Sequence, residues 1–273
     1  MTTINKHPDG RFCWNQIVTT DVDGAITFYT ALFGWDVTDE DLQAGDEMVR
    51  LTHDGEFVLG INKAEQKHTD PDTERAEPDP TIHFNQGHWE PHVAMSDLSG
   101  ALKESPTLGG TVLEKPTPAE EFGTMAEISG PSGARMSLWA AGTFGGHSLA
   151  VKNGRPAWYS LQLIEPGPAS EFWAALMKWS STTDDHGNTL FGADEQPAFA
   201  EAVVLNSNDW TALQEPAPRW LPYIQVADID AICNDAEAIN GTVLIPPADD
   251  STGRRRAIIR DPQGGHFGVI SPA

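Results

Sequence analysis

Residues 11–35 read RFCWNQIVTTDVDGAITFYTALFGW, and 144 positions later residues 155–179 read RPAWYSLQLIEPGPASEFWAALMKW. The two stretches share their first arginine, both tryptophans and a central Phe-x-x-Ala-Leu pattern. A later set of matches, including GTVL at 110–113 and again at 241–244, has an offset of 131. The drop from 144 to 131 means that the first copy holds 13 additional residues in its middle. Because internal repeats reflect duplicated structural units, the sequence predicts two related domains.

Changes in composition along the chain place the domain boundaries. Residues 62–82 are polar, acidic and rich in proline, which is typical of an exposed insertion. A glycine-rich stretch at 140–156 separates the two copies. We therefore predict a first domain over residues 1–140, a linker over 141–156 and a second domain over 157–273.

Hydrophobic periodicity predicts two similar modules within each domain. Residues 12–20 have the pattern of a strand, and a helical stripe follows that ends at Gly34. The stripe consists of Ala25, Phe28, Tyr29, Leu32 and Phe33. The order strand, helix, several strands recurs from His92 and again in the second domain. Such βαβββ units cannot bury their sheets alone. The predicted fold class is therefore α+β, with two tandem domains, each of paired modules forming an open cup-like sheet with helices outside.

Charge and cysteine content exclude several function classes. The 273 residues carry 40 Asp and Glu against 17 Lys and Arg, a formal net charge of −23 at pH 7. This excess of acid argues against nucleic-acid binding and against polybasic attachment to a membrane. Two cysteines, Cys13 and Cys233, are too few for a disulfide scaffold or a thiolate zinc site. With no signal peptide or membrane-spanning run in the sequence, we expect a cytoplasmic protein whose acidity reflects a solvated surface or a salty habitat.

Two groups of residues carry a family resemblance. The first is Trp14, Thr-Thr-Asp at 19–21, Phe-Tyr at 28–29 and Leu-Phe-Gly-Trp at 32–35; the second is Asp228, Gly-Thr-Val at 241–243, Pro-Pro at 246–247, Asp-Pro-Gln-Gly at 261–264 and Phe-Gly at 267–268. With these residues in this order, the chain resembles the vicinal oxygen chelate superfamily of glyoxalases, bleomycin-resistance proteins and dioxygenases. Within that superfamily it is most similar to the tandem two-domain glyoxalase-like proteins, and four modules cover nearly the whole chain.

The resemblance implies a divalent metal in each cup, bound by His, Glu or Gln on the first and last strands of each module. Those positions fall at Trp14, near Gly60, at His92 and at Ser137 in the first domain, and at Trp158, near Val204, at Tyr223 and at Gly268 in the second. Only His92 is a strong ligand, and one imidazole does not hold zinc or iron. We therefore predict no metal at the usual site and no cofactor. A second group, His68, His83, His88 and Glu90 beside His92, lacks a recognised ligand spacing, and we interpret His88 as a loop residue.

Strand alternation predicts which side chains face the cups. The predicted ligand-binding residues are Trp14, Gln16, His92, Ser137 and Trp139 in the first domain and Trp158, Gln162, Tyr223 and Gln225 in the second, with Arg135 and His266 on the same faces. Cys13, next to an inward residue, is expected to face outward. Aromatic walls with few polar anchors are typical of sites for organic ligands. For Trp14 and Trp158 the alternative is a purely structural role in the core.

These residues predict a metal-free small-molecule binding protein of the glyoxalase/bleomycin-resistance type, serving sequestration, resistance or metabolite binding. The alternative is a superfamily enzyme, such as a lyase, isomerase, thiol transferase or oxygenase, acting on a small oxygenated substrate in the first-domain cup. His92 would then be its catalytic base, with Gln16 and Tyr223 as helpers. The sequence leaves this choice open, and a structural or interaction protein is the third class. The expected partner is a small organic molecule, and the expected state is a monomer or a homodimer.

Overall fold

Each half of the chain folds into one eight-stranded sheet in the computed structural model. The structure describes residues 7–38, 48–64, 87–148, 150–165, 167–192, 197–213, 217–250 and 253–272. Within these ranges, no helix has the length and apolar character needed to cross a membrane.

The first domain contains two βαβββ modules side by side. Its elements are β1 (Phe12–Thr19), α1 (Val22–Phe33), β2 (Asp36–Val37), β3 (Met48–His53), β4 (Glu56–Lys63), β5 (His88–Ala94), α2 (Leu98–Thr107), β6 (Thr111–Ala119), β7 (Gly123–Ser129) and β8 (Arg135–Ala141). The strand order is β2-β3-β4-β1-β5-β8-β7-β6, so the opening strands of the two modules, β1 and β5, are neighbours at the centre. They pair antiparallel, with Trp14 opposite His92.

The second domain repeats this arrangement. Its elements are β9 (Arg155–Leu163), α3 (Ala169–Met177), β10 (Ser180–Thr183), β11 (Thr189–Gly192), β12 (Ala200–Val204), α4 (Ser207–Leu213), β13 (Arg219–Gln225), α5 (Ile229–Ala238), β14 (Thr242–Asp249), β15 (Arg255–Arg260) and β16 (His266–Ile270). The strand order β10-β11-β12-β9-β13-β16-β15-β14 is the order of the first sheet. The predicted fold class is therefore confirmed.

Aspartate side chains precede and cap α1, α2 and α5. Asp97 and Asp228, which match at the offset of 131, each precede a helix and accept a hydrogen bond from a backbone N–H two residues inside it. Asp21 does the same for α1. These side chains satisfy donors that the first helical turn leaves unpaired. Gly34 ends α1 with φ of 65°, a left-handed conformation that glycine adopts without steric cost.

Two local expectations were wrong. His88 is the first residue of β5 rather than a loop residue. Cys13 does not face outward, because the strand pairing shifts at a bulge between Phe12 and Trp14. The Cys13 side chain is fully buried beside Trp14 and Trp139, and its thiol donates to the carbonyl oxygen of His92 at 3.5 Å.

The helices pack in cores that both domains share. One core combines α2 and sheet residues of the first domain with α3 of the second. The other combines α1 of the first domain with α5 and sheet residues of the second. Helices α1, α2, α3 and α5 therefore cover the outer side of their own sheets and, on that side, contact the other domain, whereas α4 packs with residues of its own domain. Burial of these apolar stripes joins the two domains.

Equivalent residues exchange contacts across the domain junction. The indole N–H of Trp35 donates to the carbonyl oxygen of Gly154 at 2.8 Å, and that of Trp179 donates to the carbonyl oxygen of Gly10 at 2.6 Å. Both residues of one contact lie 144 positions from their counterparts in the other. Such reciprocal contacts are the signature of a two-fold relationship. An approximate two-fold axis therefore relates the two domains.

Candidate functional site

A cavity of about 360 Å³ lies where the second modules of the two domains meet, and we call it the seam cavity. Its lining includes equivalent positions of both domains, offset by 131: Gly87 and Pro218, His88 and Arg219, Trp89 and Trp220, Glu90 and Leu221, Gly133 and Gly264, and Arg135 and His266. The cavity therefore lies on the approximate two-fold axis. The beginnings of β5, β8, β13 and β16 form most of its wall.

Each domain contributes one arginine and one histidine to this wall. The histidine of one domain is at the position of the arginine in the other, so that His88 matches Arg219 and Arg135 matches His266. In the second domain, Arg219 donates from Nη1 to Nδ1 of His266 at 2.7 Å. Burial, together with the charges of Arg219 and Arg260, lowers the pKa of His266 to about 3. His266 is therefore neutral at physiological pH, and its Nδ1 accepts because a guanidinium can only donate.

The first-domain wall also carries two carboxyl groups. The Nε2 atom of His88 lies 3.0 Å from the Glu90 carboxylate. Burial opposes both charges, but the hydrogen bond and the mutual attraction raise the pKa of His88 and lower that of Glu90. The second carboxyl belongs to Glu127 on β7. Burial raises its pKa to about 7, against the opposing charge of Arg135, whose Nη1 lies 3.5 Å from its carboxyl oxygen. Glu127 therefore titrates near neutral pH, as groups that transfer protons commonly do.

The predicted first-domain site residues are divided between the seam cavity and a packed cluster. Ser137 lines the cavity. Trp14 and Trp139 instead belong to one buried cluster, against which Phe144 packs. The ring centroids of Trp14 and Phe144 are 4.9 Å apart. Gln16 accepts a hydrogen bond from the amide of Asn62 at 2.8 Å.

His92, the predicted catalytic base, is buried in the first sheet. It pairs with Trp14 on one side and with Ser137 on the other, and 1% of its surface is exposed. Its Nδ1 lies 3.1 Å from the backbone carbonyl oxygen of Glu90, while Nε2 has no partner among the described residues. Burial lowers the pKa of His92, against the opposing charge of Glu90. A neutral, enclosed imidazole in this position is suited to packing more than to exchange of protons with a ligand.

The predicted second-domain residues do not form one site. Trp158 is buried beneath the guanidinium of Arg254, which lies 4.3 Å from its ring centroid. Tyr223 is buried, which raises its pKa to about 12, and Gln162 is buried nearby on β9. Gln225 lies at the end of β13, where its amide donates to Asn153 at the surface.

Aromatic rings occupy the positions where the superfamily resemblance places metal ligands. At Gly60 an added Cβ would lie 3.2 Å from the indole nitrogen of Trp14, and at Gly268 it would lie 2.1 Å from the ring of Tyr223. Each aromatic side chain thus fills the space that a ligand at the glycine position would need. The residues at these positions do not fit a divalent metal, since one imidazole is the only strong donor among them. Across the described ranges, no group of three or more His, Cys, Asp and Glu side chains could hold a metal ion. His68 and His83 lie outside those ranges.

Sequence reasoning missed Glu127 and Arg219. Alternation on β7 does not distinguish a cup-facing carboxyl from a solvated one. Arg219 carried a signal, because at the offset of 131 it matches His88 next to the repeated tryptophans Trp89 and Trp220. Residues at equivalent positions of a duplicated chain lie on both sides of its axis, and here His88 and Arg219 both line the seam cavity.

The titration of Glu127 predicts a pH-dependent effect of Glu127→Gln. Its folded-state pKa of about 7 lies above the usual value, so the carboxyl group's contribution to stability is complete in acid and is lost as the pH rises through 7. Because 16% of the Glu127 side chain is exposed, solvent reduces the effect, and we expect Glu127→Gln to raise the free energy of unfolding by about 2 kcal/mol at pH 8.5 and by less than half as much at pH 5.5. Urea titrations at both pH values measure this.

Glu114→Gln is the matched control for that experiment. Glu114 pairs with Glu127 across β6 and β7, so its substitution removes the same charge from a neighbouring, exposed position. We expect a small effect at both pH values. An equal gain at pH 5.5 and 8.5 for Glu127→Gln would contradict titration of this group near pH 7.

Comparison with known proteins supports the architecture. A family model described as a glyoxalase-like domain matches residues 12–138. A Mycobacterium bovis protein called "Putative glyoxylase CFP32" is 29% identical over 281 residues, spanning 100% of this chain and 99% of that protein. The anthracycline biosynthesis protein DauV of Streptomyces sp. strain C5 is 26% identical over 268 residues, spanning 98% of this chain and 95% of that protein.

Solved structures share the fold over nearly the whole chain. The Mn(II)-bound glyoxalase from Novosphingobium aromaticivorans superposes with a TM-score of 0.64 at 11% identity, covering 96% of this chain and 82% of that one. The 2,3-dioxygenase LapB from Pseudomonas sp. KL28 superposes with a TM-score of 0.61 at 11% identity, covering 96% of this chain and 92% of that one. At these identities the likeness concerns the fold.

Proposed function

We infer that this chain, a tandem two-domain member of the vicinal oxygen chelate superfamily with a glyoxalase-like domain at residues 12–138, binds a small organic molecule in the seam cavity. The cavity itself carries this proposal. Its 360 Å³ is within the size range of small-molecule sites, and it combines tryptophan and proline surfaces with a few charged groups. The relatives named for glyoxylase activity and for anthracycline biosynthesis support a small organic ligand.

In this proposal the protein binds its ligand without a metal at the superfamily's usual positions. The support is the aromatic packing at Gly60 and Gly268, together with the scarcity of donor side chains there. Binding then depends on the protein's own polar groups. In this proposal the protein acts in the cytoplasm and serves sequestration, resistance or metabolite binding. The duplication provides a two-fold pairing of domains within one chain, so a monomer suffices for a complete cavity.

A second candidate function is acid–base catalysis on the bound molecule. Glu127 favours it, because its carboxyl group lines the cavity and titrates near pH 7. In this proposal Glu127, rather than the enclosed His92, is the group that transfers the proton. An enzyme of this kind would be a lyase or isomerase, since proton transfer alone requires no oxidant.

Blocking the cavity tests the proposed function. Ser129 lines the cavity at the end of β7, and Ser129→Trp should fill part of it. We expect a library of small organic compounds to contain members that raise the Tm of the natural chain by several degrees and leave the Tm of Ser129→Trp unchanged. Differential scanning fluorimetry measures both.

Thr117→Trp adds the same side chain at an exposed position of β6, outside the cavity wall, and should retain the response of the natural chain. Compounds that stabilise Ser129→Trp equally would contradict the proposed site, and so would a library without any stabilising member. Elemental analysis of the purified chain is expected to find far less than one manganese, iron or zinc per chain. A stoichiometric metal would contradict the metal-free part of the proposal.

A further inference from the structure

We propose that residues 142–146 form a strap that closes the first-domain cup, and that this strap lifts to admit an uncharged aromatic compound carrying a carbonyl group. In the closed structure the strap residue Phe144 occupies the place of that compound. The site is separate from the seam cavity, because Phe144 and the rings that it contacts do not belong to the wall of that cavity.

The position of the Phe144 ring carries the first part of the argument. Phe144 belongs to the connection between the domains, yet its ring packs into the first cup. The ring centroid lies 4.9 Å from that of Trp14, 5.8 Å from that of Phe57 and 6.4 Å from that of Trp139, with interplanar angles of 89°, 70° and 72°. Edge-to-face contacts of this kind are favourable for aromatic rings in general. Phe144 is only partly buried, so it lies as an outer layer over the buried tryptophans.

The backbone of Phe144 supplies a polar contact in the same place. The indole N–H of Trp139 donates to the Phe144 carbonyl oxygen at 2.9 Å. The indole N–H of Trp14 is buried and has no acceptor among the described residues. When the strap lifts, the cup therefore presents aromatic rings and indole donors that need an acceptor. A ring joined to a carbonyl by a short chain, as in Phe144 itself, matches this arrangement.

Glycines on both sides of Phe144 allow the strap to move between fixed ends. They stand at positions 142, 145 and 146. Gly146 has a φ of 102°, and an added Cβ there would lie 2.0 Å from the carbonyl oxygen of Cys13. The next residue, His147, donates its backbone N–H to that same oxygen at 2.8 Å and anchors this end of the strap to β1. The strap therefore has a fixed end and a flexible centre.

Few bonds hold the centre of the strap down, and they lie at the surface. The backbone N–H groups of Thr143 and Phe144 donate to the carbonyl oxygens of Glu121 and Phe122 at 2.8 and 3.1 Å. Thr143 and Glu121 are exposed, so water replaces these bonds when the strap lifts. A ligand ring that takes the place of Phe144 restores the apolar contacts of the cup. Exchange of one ring for the other is therefore inexpensive in free energy.

Hydrogen exchange of the full chain tests the proposal with 3-phenylpropanamide, whose ring and carbonyl have the spacing found in phenylalanine. We expect a Kd in the millimolar range, because the closed strap competes with the probe. At saturation the amides of Thr143 and Phe144 should exchange about tenfold faster, while those of β1 should not. The matched probe 3-cyclohexylpropanamide lacks the aromatic ring and should bind at least about threefold more weakly.

Phe144→Ala removes the competing ring, and we expect it to bind 3-phenylpropanamide about tenfold more tightly than the natural chain in isothermal titration calorimetry. Phe199→Ala is the matched control, since Phe199 is also partly buried against a core but belongs to the second domain. Its affinity should stay within about twofold of that of the natural chain. If Phe144→Ala fails to fold by circular dichroism, Phe144→Leu takes its place, with an expected gain of about threefold.

Ser129→Trp distinguishes this site from the seam cavity. Binding of 3-phenylpropanamide should persist in that variant, and its loss there would overturn the strap proposal while supporting the seam cavity as a ligand site. Because the closed strap keeps the affinity low, a compound of this kind does not shift the Tm at the micromolar concentrations of a library screen.

Binding that leaves the exchange of the strap amides unchanged would also overturn the proposal. The same holds if Phe144→Ala binds no more tightly than the natural chain. If Phe144→Ala binds the probe and the natural chain does not, Phe144 is a fixed part of the core and no strap opens. Absence of binding to every variant overturns the proposal as well.

Discussion

Gly268→Ala is expected to lower the free energy of unfolding by about 3 kcal/mol, a large loss for the addition of one methyl group. The methyl carbon would lie 2.1 Å from the Tyr223 ring, far inside van der Waals contact. Tyr223 cannot move away without cost, because it is 3% exposed and packs against Trp158 and Leu221 in the core of the second cup. Overpacking of a closed core forces strain on side chains or backbone.

Gly60→Ala is the matched substitution in the first domain. There the added carbon would lie 3.2 Å from Trp14 and 3.3 Å from the sulfur of Met48, a flexible side chain. We expect a loss below about 1 kcal/mol. Guanidinium titrations of both variants measure the difference.

The double variant Gly268→Ala with Tyr223→Leu identifies the cause. If the tyrosine ring is the obstacle, the cost of Gly268→Ala should fall by at least half when the ring is removed. A cost that is the same in both backgrounds would contradict the assignment of Tyr223 as the group that fills the space beside Gly268, where the superfamily resemblance places a metal ligand.

Local signals allowed much of the fold to be predicted. The offsets of 144 and 131 gave the two domains and their modules, and Asp97 and Asp228 begin helices where the repeat predicts them. These features depend on short-range hydrogen bonds and on periodicity, which a single sequence records. The bulge at Cys13 was not predictable, because a register shift of one residue leaves no trace in the hydrophobic pattern.

The seam cavity was not predictable for a different reason. It depends on how the two domains meet, and alternation within a strand describes only one sheet. Ser137 was predicted to face a cup and does line the cavity, but its neighbours there include Arg219 and His266 from the other domain. The reciprocal contacts of Trp35 and Trp179 show that the repeat itself encodes this meeting, once both copies are placed about an axis.

A second pair of equivalent contacts shows how the two copies have diverged. In one, Tyr29 of α1 donates its hydroxyl to the buried carboxylate of Asp261 at 2.5 Å. Its counterpart joins Trp173 of α3 to Gly130, where an added Cβ would lie 3.0 Å from the indole nitrogen. One junction is therefore polar and the other is filled by a larger ring opposite a glycine. Removing the tyrosine hydroxyl from the polar junction leaves buried polar groups without a partner.

Tyr29→Phe is accordingly expected to lower the free energy of unfolding by about 2 to 3 kcal/mol at pH 7. The change leaves Asp261, which is 2% exposed, without its side-chain donor, and it also removes the acceptor of the Trp89 indole N–H at 3.0 Å. The backbone N–H groups of Gln263 and Gly265 continue to donate to the carboxylate. Double-mutant cycles with Asp261→Asn in urea measure the coupling, expected at about 1 to 2 kcal/mol.

The pH dependence of this loss separates a charged partner from simple packing. Burial raises the pKa of Asp261 in the folded chain, and the Tyr29 hydroxyl opposes that rise. Removing the hydroxyl raises the folded-state pKa further, so the deficit of Tyr29→Phe should grow as the pH rises through that value and shrink in acid. Tyr159→Phe removes a hydroxyl that accepts from the neutral amide of Asn15 at 2.9 Å and lies 3.4 Å from Nε2 of His147. Because burial lowers the pKa of His147 to about 4, the smaller loss of this variant should not change between about pH 5 and pH 8. If both tyrosine variants lost equal stability at every pH, the Asp261 carboxylate would not be the partner that makes this junction between the domains strong.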